Sequence, residues 1–328
     1  MSNWKEGKME IVPGAYVYVT NGGYGMNTPG IIVGDHCGLA IDTAPGVALT
    51  AEFAKEVRKE IHGKPIRYLT YTHTHPDHVF GAAAYPDAVV VGPRAVQDSF
   101  NERKITPGAH EWPVDVTGGE ARDLDVLFDG KTLTIDLGNR TAELICFGNC
   151  HHDCDTVVYI PDCKVLYCGD LFYNYVWPDG AKSNVPNWLK ALEEIKQMDV
   201  EYYVPGHGPV ANRAEFLKFC ECLQLLYDET VKGFKAGKHP REISRTMNQG
   251  DFASWDQTHR RINVCDLIYR VLQGKDTVHH FCEWDINAEV DRVRHSVNDF
   301  GPHHRIMTEI KPEMDPETWV EADHRVEE

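Results

Sequence analysis

A short segment of the sequence concentrates side chains that bind metal ions. It reads His73-Thr74-His75-Pro76-Asp77-His78. Side chains two positions apart in an extended chain point to the same side, so His73 and His75 can chelate one ion. Adjacent side chains diverge, and Asp77 and His78 are therefore better placed to bind a second ion on a bending loop. The spacing predicts two divalent metal ions, with zinc favoured by the imidazole and carboxylate donors and iron or manganese as alternatives.

Three more candidate ligands follow predicted strands elsewhere in the chain. They are His151, Asp170 and His207, and each has a glycine close by. Glycine permits the tight turns and close backbone approach that loops converging on a metal ion need. A single histidine or aspartate after a strand is usually a structural residue. In combination with the segment at 73–78, the three residues favour a shared metal site.

Alternating β-rich and amphipathic runs predict the elements that position these residues. Strands at 30–34 and 38–43 form a hairpin, and a helix at 47–62 has apolar residues at four-residue spacing on one face. A strand at 66–72 leads directly into the histidine segment. Further strands are predicted at 88–91, 132–136, 141–146, 156–160 and 164–168, and further helices at 186–198 and 213–237.

These elements predict a mixed α/β (α+β) fold in which two sheets lie face to face between outer layers of helices. The expected architecture is a four-layer αββα sandwich. We expect one catalytic domain over residues 1–273 and a C-terminal helical extension over residues 274–328. The extension packs on the core or on a second subunit, and the second alternative makes the protein a homodimer. We assign the extension no chemistry.

Composition and charge exclude several classes of function. The chain has 328 residues, of which 42% are hydrophobic, and a formal net charge of −17. This charge repels a phosphate backbone, so we expect a small-molecule substrate and no nucleic-acid partner. No apolar run approaches the roughly 20 residues of a membrane span, so we expect no membrane association and a cytoplasmic location. The ten cysteines are expected to be reduced thiols.

The order of these motifs resembles the metallo-β-lactamase superfamily in its glyoxalase II-like form. The matching features are HxHxDH, a distant histidine, Gly-Asp, Pro-Gly-His-Gly, and Ile41-Asp42-Thr43 before the first cluster. The resemblance runs from about residue 11 to residue 210 and implies the αββα fold. It also implies a buried Asp42 that orients the ligand loop. The ligand set it implies is one ion on His73, His75 and His151, the other on Asp77, His78 and His207, and Asp170 as the bridge.

One ligand position is ambiguous because His151 and His152 are adjacent. The resemblance favours His151, since the strand that begins at Asp155 aligns with the family's strand after this loop. His152 then replaces a threonine common in the family, and it supports a ligand, faces the substrate or is an exposed loop residue. Cys150 and Cys154 flank the pair, and we expect both to be small buried thiols.

A closer resemblance extends to about residue 273. The segments that carry it are Gly169-Asp170-Leu171-Phe172-Tyr173-Asn174 and Asp251-Phe252-Ala253-Ser254-Trp255. They are similar to segments of the branch that contains bacterial aromatic polyketide cyclase/thioesterases and hydrolases without an assigned substrate. This resemblance makes a polyketide cyclase/thioesterase one alternative for the function.

The predicted ions also predict a reaction. Two divalent ions about 3.5 to 4 Å apart can hold a shared water and lower its pKa from about 15.7 toward roughly 7. A metal-bridging hydroxide of this kind attacks a carbonyl carbon, with Asp77 and Asp170 as the catalytic carboxylates and Asp77 as proton acceptor or shuttle. We therefore predict a dinuclear hydrolase that cleaves an ester, thioester, lactone or amide, with an ester or thioester favoured.

Aromatic residues near the predicted site are candidates for a substrate pocket. Tyr24 lies in a glycine-rich loop, and Tyr173, Tyr175 and Trp177 follow Asp170. A long loop at about 101–112 is a further candidate. Aromatic rings suit an apolar or aromatic substrate, but each of them can equally cap the edge of the core.

Two other functions compete with hydrolysis. A mononuclear iron oxygenase of the persulfide dioxygenase kind uses this fold with two histidines and one aspartate, here His73, His151 and Asp170. The complete second set of ligands argues against that enzyme. A non-catalytic binding module is the other alternative, and the retention of all the candidate ligands argues against it.

Overall fold

The computed structural model describes residues 7–19, 27–102, 118–180 and 182–277. The chain forms two compact units. Of the described residues, the first unit contains those up to Gly148, Asp153–Phe172 and Gln197–Ala214, and the second contains Asn149–His152, Tyr173–Lys196 and those from Glu215 onward. The predicted domain boundary at residue 273 stays a prediction, as does the helical extension, which lies almost wholly outside the described residues.

Seven strands form the first sheet of the first unit, in the order in which they occur in the chain. They are β1 (Gly7–Val12), β2 (Ala15–Val19), β3 (Gly30–Val33), β4 (Gly38–Ile41), β5 (Ile66–Thr70), β6 (Val89–Pro93) and β7 (Val126–Phe128). Strands β1 to β4 pair antiparallel, whereas β4 to β7 pair parallel. The carboxyl ends of β4 and β5 therefore meet at one edge, where chemistry is usually placed in such sheets.

Parallel neighbours need a crossover connection, and helices supply it here. The crossovers contain α1 (Val47–Glu60), α2 (Pro76–Val79) and α3 (Arg94–Glu102). Helix α1 joins β4 to β5 and places Phe53, Ala54 and Val57 in the core. Full burial of a large apolar side chain such as Phe53 contributes about 1.5–3 kcal/mol to stability.

A second sheet of five strands completes the first unit. Its strands are β8 (Thr132–Asp136), β9 (Thr141–Gly148), β10 (Asp155–Ile160), β11 (Val165–Tyr167) and β12 (Tyr202–Val204). They lie in the spatial order β12-β11-β10-β9-β8 and are antiparallel except for β11 and β12. Because β11 and β12 are parallel, the loops that carry Asp170 and His207 leave the sheet at the same edge.

The two sheets bury one face each against the other. Val17 of β2 belongs to the same apolar cluster as Leu144 of β9 and Val158 of β10. Its neighbour Tyr18 points to the opposite face, where its ring centroid lies 5.4 Å from that of Phe53 in α1. Successive side chains of a strand alternate between faces, and here both faces are buried. This is why β2 is apolar throughout instead of alternating with polar residues.

The second unit is helical in its described part. Its helices are α4 (Val185–Ile195), α5 (Arg213–Lys235), which begins in the first unit, α6 (Pro240–Thr246) and α7 (Arg261–Leu272). Asn184 caps α4, because its side-chain oxygen accepts a 3.1 Å hydrogen bond from the Asn187 backbone N–H. Trp188 of α4 packs against Phe219 of α5 with ring centroids 6.1 Å apart.

The predicted mixed α and β architecture with two sheets is confirmed. Three helices end earlier than predicted: α4 ends at Ile195, ahead of residue 198, and the other two end early for local reasons. Helix α1 ends at Glu60 because His62 adopts a left-handed φ of 51°, and α5 ends at Lys235 ahead of Gly237, whose φ is 71°. The β1–β2 hairpin is an addition to the prediction. None of the helices in the described ranges is both long enough and apolar enough to cross a membrane.

Candidate metal centre

The histidine segment takes its shape from Pro76. It follows β5, and α2 begins at Pro76, with His75 in extended conformation (φ −66°, ψ 145°) before it. Proline suits the first position of a helix because its φ is fixed and its missing N–H would have no partner there. The chain therefore turns at this point, so that His73 and His75 lie on the extended approach and Asp77 and His78 lie in the helical turn.

His73, His75 and Asp170 form a first cluster. One ligand atom of each lies within 4.8 Å of the ligand atoms of the others. The ring centroids of His73 and His75 are 4.6 Å apart, and His73 Nε2 lies 3.7 Å from Asp170 Oδ2. Two imidazoles and a carboxylate that converge in this way form a partial coordination shell for a transition-metal ion.

Asp77, His78 and His207 form a second cluster, again with one ligand atom of each within 4.8 Å of the others. Asp77 Oδ2 lies 3.5 Å from His78 Nε2 and 3.3 Å from His207 Nε2. All three residues are buried. Asp77 and His78 in α2 thus lie beside His207, which is on the loop after β12. This agrees with the expectation that the adjacent pair belongs to a second cluster and not to that of His73 and His75.

Asp170 lies beside both clusters. Its Oδ1 is 3.2 Å from His78 Nε2, and its Oδ2 is 3.4 Å from His207 Nε2 and 3.7 Å from His73 Nε2. The close approach of the His207 loop depends on Gly206, because a Cβ atom there would lie 1.9 Å from Asp170 Oδ1. The glycine before His207 is therefore a packing requirement of the site.

Asp42 makes hydrogen bonds to two residues at the histidine segment, Thr72 and His78. Its Oδ1 accepts a 2.6 Å hydrogen bond from the Thr72 backbone N–H, and its Oδ2 accepts one of 2.7 Å from the Thr72 hydroxyl. The same Oδ2 lies 2.9 Å from His78 Nδ1. If Nδ1 carries the proton, Nε2 is left to face the second cluster as a ligand atom. Asp42 itself has a left-handed φ of 58°, a strained conformation of the kind found at functional sites.

The carboxylates of the centre change the acidity of His78. Burial by itself lowers the pKa of His78. The negative charges of Asp77, Asp170 and Asp42 outweigh burial and hold its pKa well above the ordinary histidine value. In the absence of a bound cation the centre therefore favours a protonated His78, because a positive charge at this position offsets the carboxylates.

His151 and His152 belong to the second unit. Both side chains are fully buried. His151 Nε2 lies 3.2 Å from the Tyr173 hydroxyl, and the His151 ring centroid lies 5.4 Å from that of Trp188. The backbone carbonyl of His152 accepts a 2.9 Å hydrogen bond from the Cys150 backbone N–H. The burial of His152 rules out one of its three alternative roles, that of an exposed loop residue. The ligand role of His151 stays a prediction.

The candidate pocket residues fall in different places. Tyr24 lies outside the described residues, as does most of the loop at 101–112. Tyr173 and Trp177 are fully buried within the second unit, where Arg260 and Arg261 lie over their rings at 5.9 and 5.1 Å. The hydroxyl of half-buried Tyr175 donates to Glu215 at 3.0 Å. Such contacts are typical of aromatic side chains packed inside a protein. A pocket role for Tyr173, Tyr175 and Trp177 stays a prediction.

The structure also adds residues that the sequence prediction lacks. Thr74, between the two histidines of the first cluster, has its hydroxyl 2.9 Å from that of Ser99 in α3. Ser99 in turn donates to Asp153 Oδ1 at 2.9 Å. The only sequence signal for such support is the small hydroxyl residue next to each ligand, at Thr72 and Thr74, which is too common a feature to predict a partner.

The donor atoms of the two clusters fit metal ions. Histidine nitrogens and carboxylate oxygens are the donors that zinc and similar first-row ions take in proteins. The carboxylates of Asp42, Asp77 and Asp170 lie close together in a buried region. Burial of several negative charges is unfavourable unless cations accompany them, so the centre suits a bound cation better than an apolar ligand.

Comparison with known proteins identifies the family. The model of the metallo-beta-lactamase superfamily matches residues 23–207, which is more than half of the chain. The chain belongs to the metallo-β-lactamase superfamily. The matched region contains every residue of the two clusters, and the resemblance on which the sequence prediction rests is confirmed at the level of the superfamily.

Two named enzymes are among the proteins with detectable sequence similarity to this chain. The chain is 28% identical over 193 residues to 2,4-dinitroanisole O-demethylase subunit alpha from Nocardioides sp., covering 56% of this chain and 53% of that protein. It is 24% identical over 247 residues to a linear primary-alkylsulfatase from Pseudomonas sp., covering 62% and 47%. The chain thus spans about half the length of these relatives. The narrower resemblance to polyketide cyclase/thioesterases stays a prediction.

Solved structures share the fold. A metallo-β-lactamase from Pontibacter korlensis superposes with a TM-score of 0.57 at 20% identity and covers 66% of this chain and 98% of its own. A stereoselective inverting sec-alkylsulfatase from Pseudomonas sp. superposes with a TM-score of 0.63 at 17% identity and covers 82% and 50%. At these identities the likeness extends to the fold, which confirms the predicted fold class.

Proposed function

We propose that this chain is a hydrolase that uses two divalent metal ions, zinc in the first instance, to cleave an ester-type bond. The observation that carries the proposal is the position of Asp170. Its two carboxylate oxygens lie within 3.7 Å of His73 in the first cluster and of His78 and His207 in the second. A carboxylate in such a position is suited to bridge two cations and to reduce their mutual repulsion.

The proposed ligand set uses both clusters. His73, His75 and His151 hold the first ion; Asp77, His78 and His207 hold the second; Asp170 is shared. When bound, the two ions supply Lewis acidity, which lowers the pKa of water toward about 7 and polarises the bond to be cleaved. Every other contribution comes from the protein groups that bind, orient and exchange protons.

His151 enters the ligand set on its sequence context and its burial. It stands between the end of β9 at Gly148 and the start of β10 at Asp155, and it is fully buried. The hydroxyl of Tyr173 at its Nε2 fixes the orientation of the ring. Such a partner for a ligand histidine is typical of metal sites, where outer groups orient the imidazole.

Asp77 is the proposed proton acceptor. It is 8% exposed, more than His78 at 1% and His207 at 5%, so a proton on its carboxylate can exchange with solvent most readily. Its Oδ2 faces the Nε2 atoms of both histidines. Asp42 takes no proton in this scheme, because its oxygens hold Thr72 and His78 in place.

The relatives define the bonds that are worth testing. The alkylsulfatase is named for a sulfate ester, whereas the O-demethylase is named for a methyl ether. We propose that this chain adds water across a carboxylic ester, a thioester, a lactone or a sulfate ester, which gives an acid and an alcohol or a thiol. The small molecule that contains this bond is the proposed partner of the site.

The test combines metal analysis with a substrate panel. Protein purified without added metal is analysed for zinc, iron and manganese, and then assayed with acyl thioesters, aryl esters, lactones, alkyl sulfates and β-lactams. About two zinc ions per chain and turnover of one ester class support the proposal. His75→Ala is the control, because it removes one ligand and should abolish the turnover if this site produces it.

Three results would contradict the proposal. One iron ion per chain with oxygen consumption indicates an oxygenase of the persulfide dioxygenase kind. Two bound ions with no turnover of any ester class contradict the bond type. Turnover that survives in His75→Ala at the original rate shows that the activity belongs to another site or to a contaminant.

A further inference from the structure

A buried asparagine connects the segments that carry the second cluster. Asn27 is 0% exposed. Its side-chain nitrogen donates to two backbone carbonyls, that of Thr43 at 2.7 Å and that of Asp77 at 2.6 Å. A carboxamide has two N–H donors, and here each of them serves a different loop. Asn27 therefore joins the loop after β4 to the backbone of a candidate ligand.

The same residue also contacts the loop of His207. Asn27 and His207 pair through an isolated antiparallel β-bridge. The next residue, Thr28, extends this contact: its backbone N–H donates to Gly206 at 3.0 Å, and its hydroxyl donates to Gly208 at 2.9 Å. The carbonyls on both sides of His207 are thus held from one short segment.

These contacts have one geometric consequence. The side chain of Asn27 fixes the backbone at Asp77, and its main chain fixes the backbone at His207. Asp77 Oδ2 and His207 Nε2 lie 3.3 Å apart, so the separation of these two ligand atoms depends on the residue that holds both loops. His73 and His75 of the first cluster receive none of these hydrogen bonds.

We propose that Asn27 is a positioning residue for the second metal site: it sets the distance between Asp77 and His207 and thereby the affinity for the second ion. This role rests on the proposed two-metal function. Through these contacts Asn27 acts on the backbone of two candidate ligands, Asp77 and His207. Its loss should therefore weaken binding of the second ion and spare the first, since a ligand pair that is preorganised binds metal more tightly than a mobile pair.

Asn27→Asp is the sharpest variant because it keeps the shape and changes the chemistry. A carboxylate oxygen replaces the donor nitrogen and then faces two carbonyl oxygens that it cannot serve. Repulsion between these oxygens moves the Thr43 and Asp77 loops apart. We expect the second ion to bind at least about tenfold more weakly, while the first ion binds as in the unmodified protein.

Metal binding is the readout, measured by equilibrium dialysis of the full chain against zinc alone, with circular dichroism to establish folding. Thr230→Val is the matched control. Its buried hydroxyl donates to Leu226 within α5 at 2.7 Å. Thr230 belongs to the second unit, whereas both clusters belong to the first, so its loss tests a general decrease in stability. Asn27→Ser provides a smaller perturbation for the case in which Asn27→Asp does not fold.

The outcomes separate this role from the proposed function. Two zinc ions in the unmodified protein, with selective loss of the second in Asn27→Asp and two retained in Thr230→Val, support it. If Asn27→Asp binds both zinc ions as tightly as the unmodified protein does, this role is overturned and the two-metal function is left intact. Fewer than two zinc ions in the unmodified protein overturns the function and this role with it. Failure of both Asn27 variants to fold would show a structural role and overturn the proposal.

Discussion

Asp170 is the residue on which the electrostatics of the centre depend. Two divalent ions bring four positive charges, and the proposed ligands that offset them include only two carboxylates, those of Asp77 and Asp170. Because Asp170 faces histidines of both clusters at 3.2 to 3.7 Å, its charge would act on both of the proposed ions. The remaining ligands are neutral imidazoles, which supply bonds but no compensating charge.

Asp170→Asn should leave a folded protein that has lost most of its activity. The amide is nearly isosteric with the carboxylate, so circular dichroism should be unchanged, but one negative charge between the ions is removed. We expect the second ion to be lost first and turnover to fall by about a hundredfold or more. Metal analysis and turnover are measured on the same sample. Two ions at full turnover would show that Asp170 does not bridge.

The adjacent histidines should respond differently to substitution. His151→Ala should cost the protein one metal ion, because it removes a proposed ligand whose ring is held at the Tyr173 hydroxyl. His152→Ala should retain both ions, since we assign it no ligand atom. Metal content of the two purified variants checks this directly. If His152→Ala loses an ion and His151→Ala keeps both, His152 is the ligand and His151 is not.

At the scale of elements, the histidine segment is held by its neighbours in the fold. Asp42, at the end of β4, supports Thr72 and His78. Ser99, on α3, contacts the hydroxyl of Thr74. Such contacts fix the loop before any metal binds, which is the arrangement that a preorganised site requires.

Ser99→Ala should lower the free energy of unfolding by about 1–3 kcal/mol, because the buried Thr74 hydroxyl and the Asp153 carboxylate both lose a hydrogen-bond partner. Urea denaturation of the metal-free variant measures the change. Asp98→Ala on the same helix is the control, since Asp98 is exposed. An equal loss of stability in both variants would assign the effect to α3 as a whole.

The sequence predicts the candidate ligands and the central strands because both have local signals. HxHxDH is contained in six residues, and strands such as β10 contain an apolar run, here residues 157–160. The contacts of Asn27 and Ser99 have no such signal. Asn27 is brought to Asp77 and His207 only by the fold. In the sequence, an asparagine that binds two distant carbonyls cannot be distinguished from an asparagine in an ordinary turn. Helix ends depend on backbone conformation at single residues such as His62, which periodicity does not report.

At the scale of the whole molecule, the centre concentrates negative charge in a chain that is already acidic. The formal net charge is −17, and the carboxylates around His78 are buried. Self-repulsion of this kind destabilises a compact state unless cations offset it. Bound metal ions are therefore expected to contribute to stability as well as to chemistry.

Removal of metal should make stability depend on pH through His78. Its pKa is raised in the folded chain, so protonated His78 stabilises the metal-free protein. That contribution is fully present below the ordinary value of 6.5 and is lost as the pH rises through the raised value. We expect the melting temperature of chelator-treated protein to fall as the pH rises above the ordinary histidine pKa of 6.5 and through the raised value.

Zinc-loaded protein should show a smaller decrease over the same range, because the ions replace the proton as the partner of the carboxylates. Differential scanning calorimetry of both forms measures the two slopes. His36→Gln removes an exposed histidine and should leave both slopes unchanged. Parallel slopes for the metal-free and zinc-loaded forms would contradict the assignment to His78.

The packing of Gly206 limits which substitutions this protein can accept near the candidate metal centre. A side chain at residue 206 would meet Asp170 Oδ1 at 1.9 Å and the backbone of residues 169 and 170 at 2.8 Å, and backbone atoms cannot rotate away as a flexible side chain can. A library made for laboratory evolution can vary the loop around His207, but active clones should retain a glycine codon at 206. New substrate preferences will have to arise from positions whose side chains do not contact the Asp170 carboxylate.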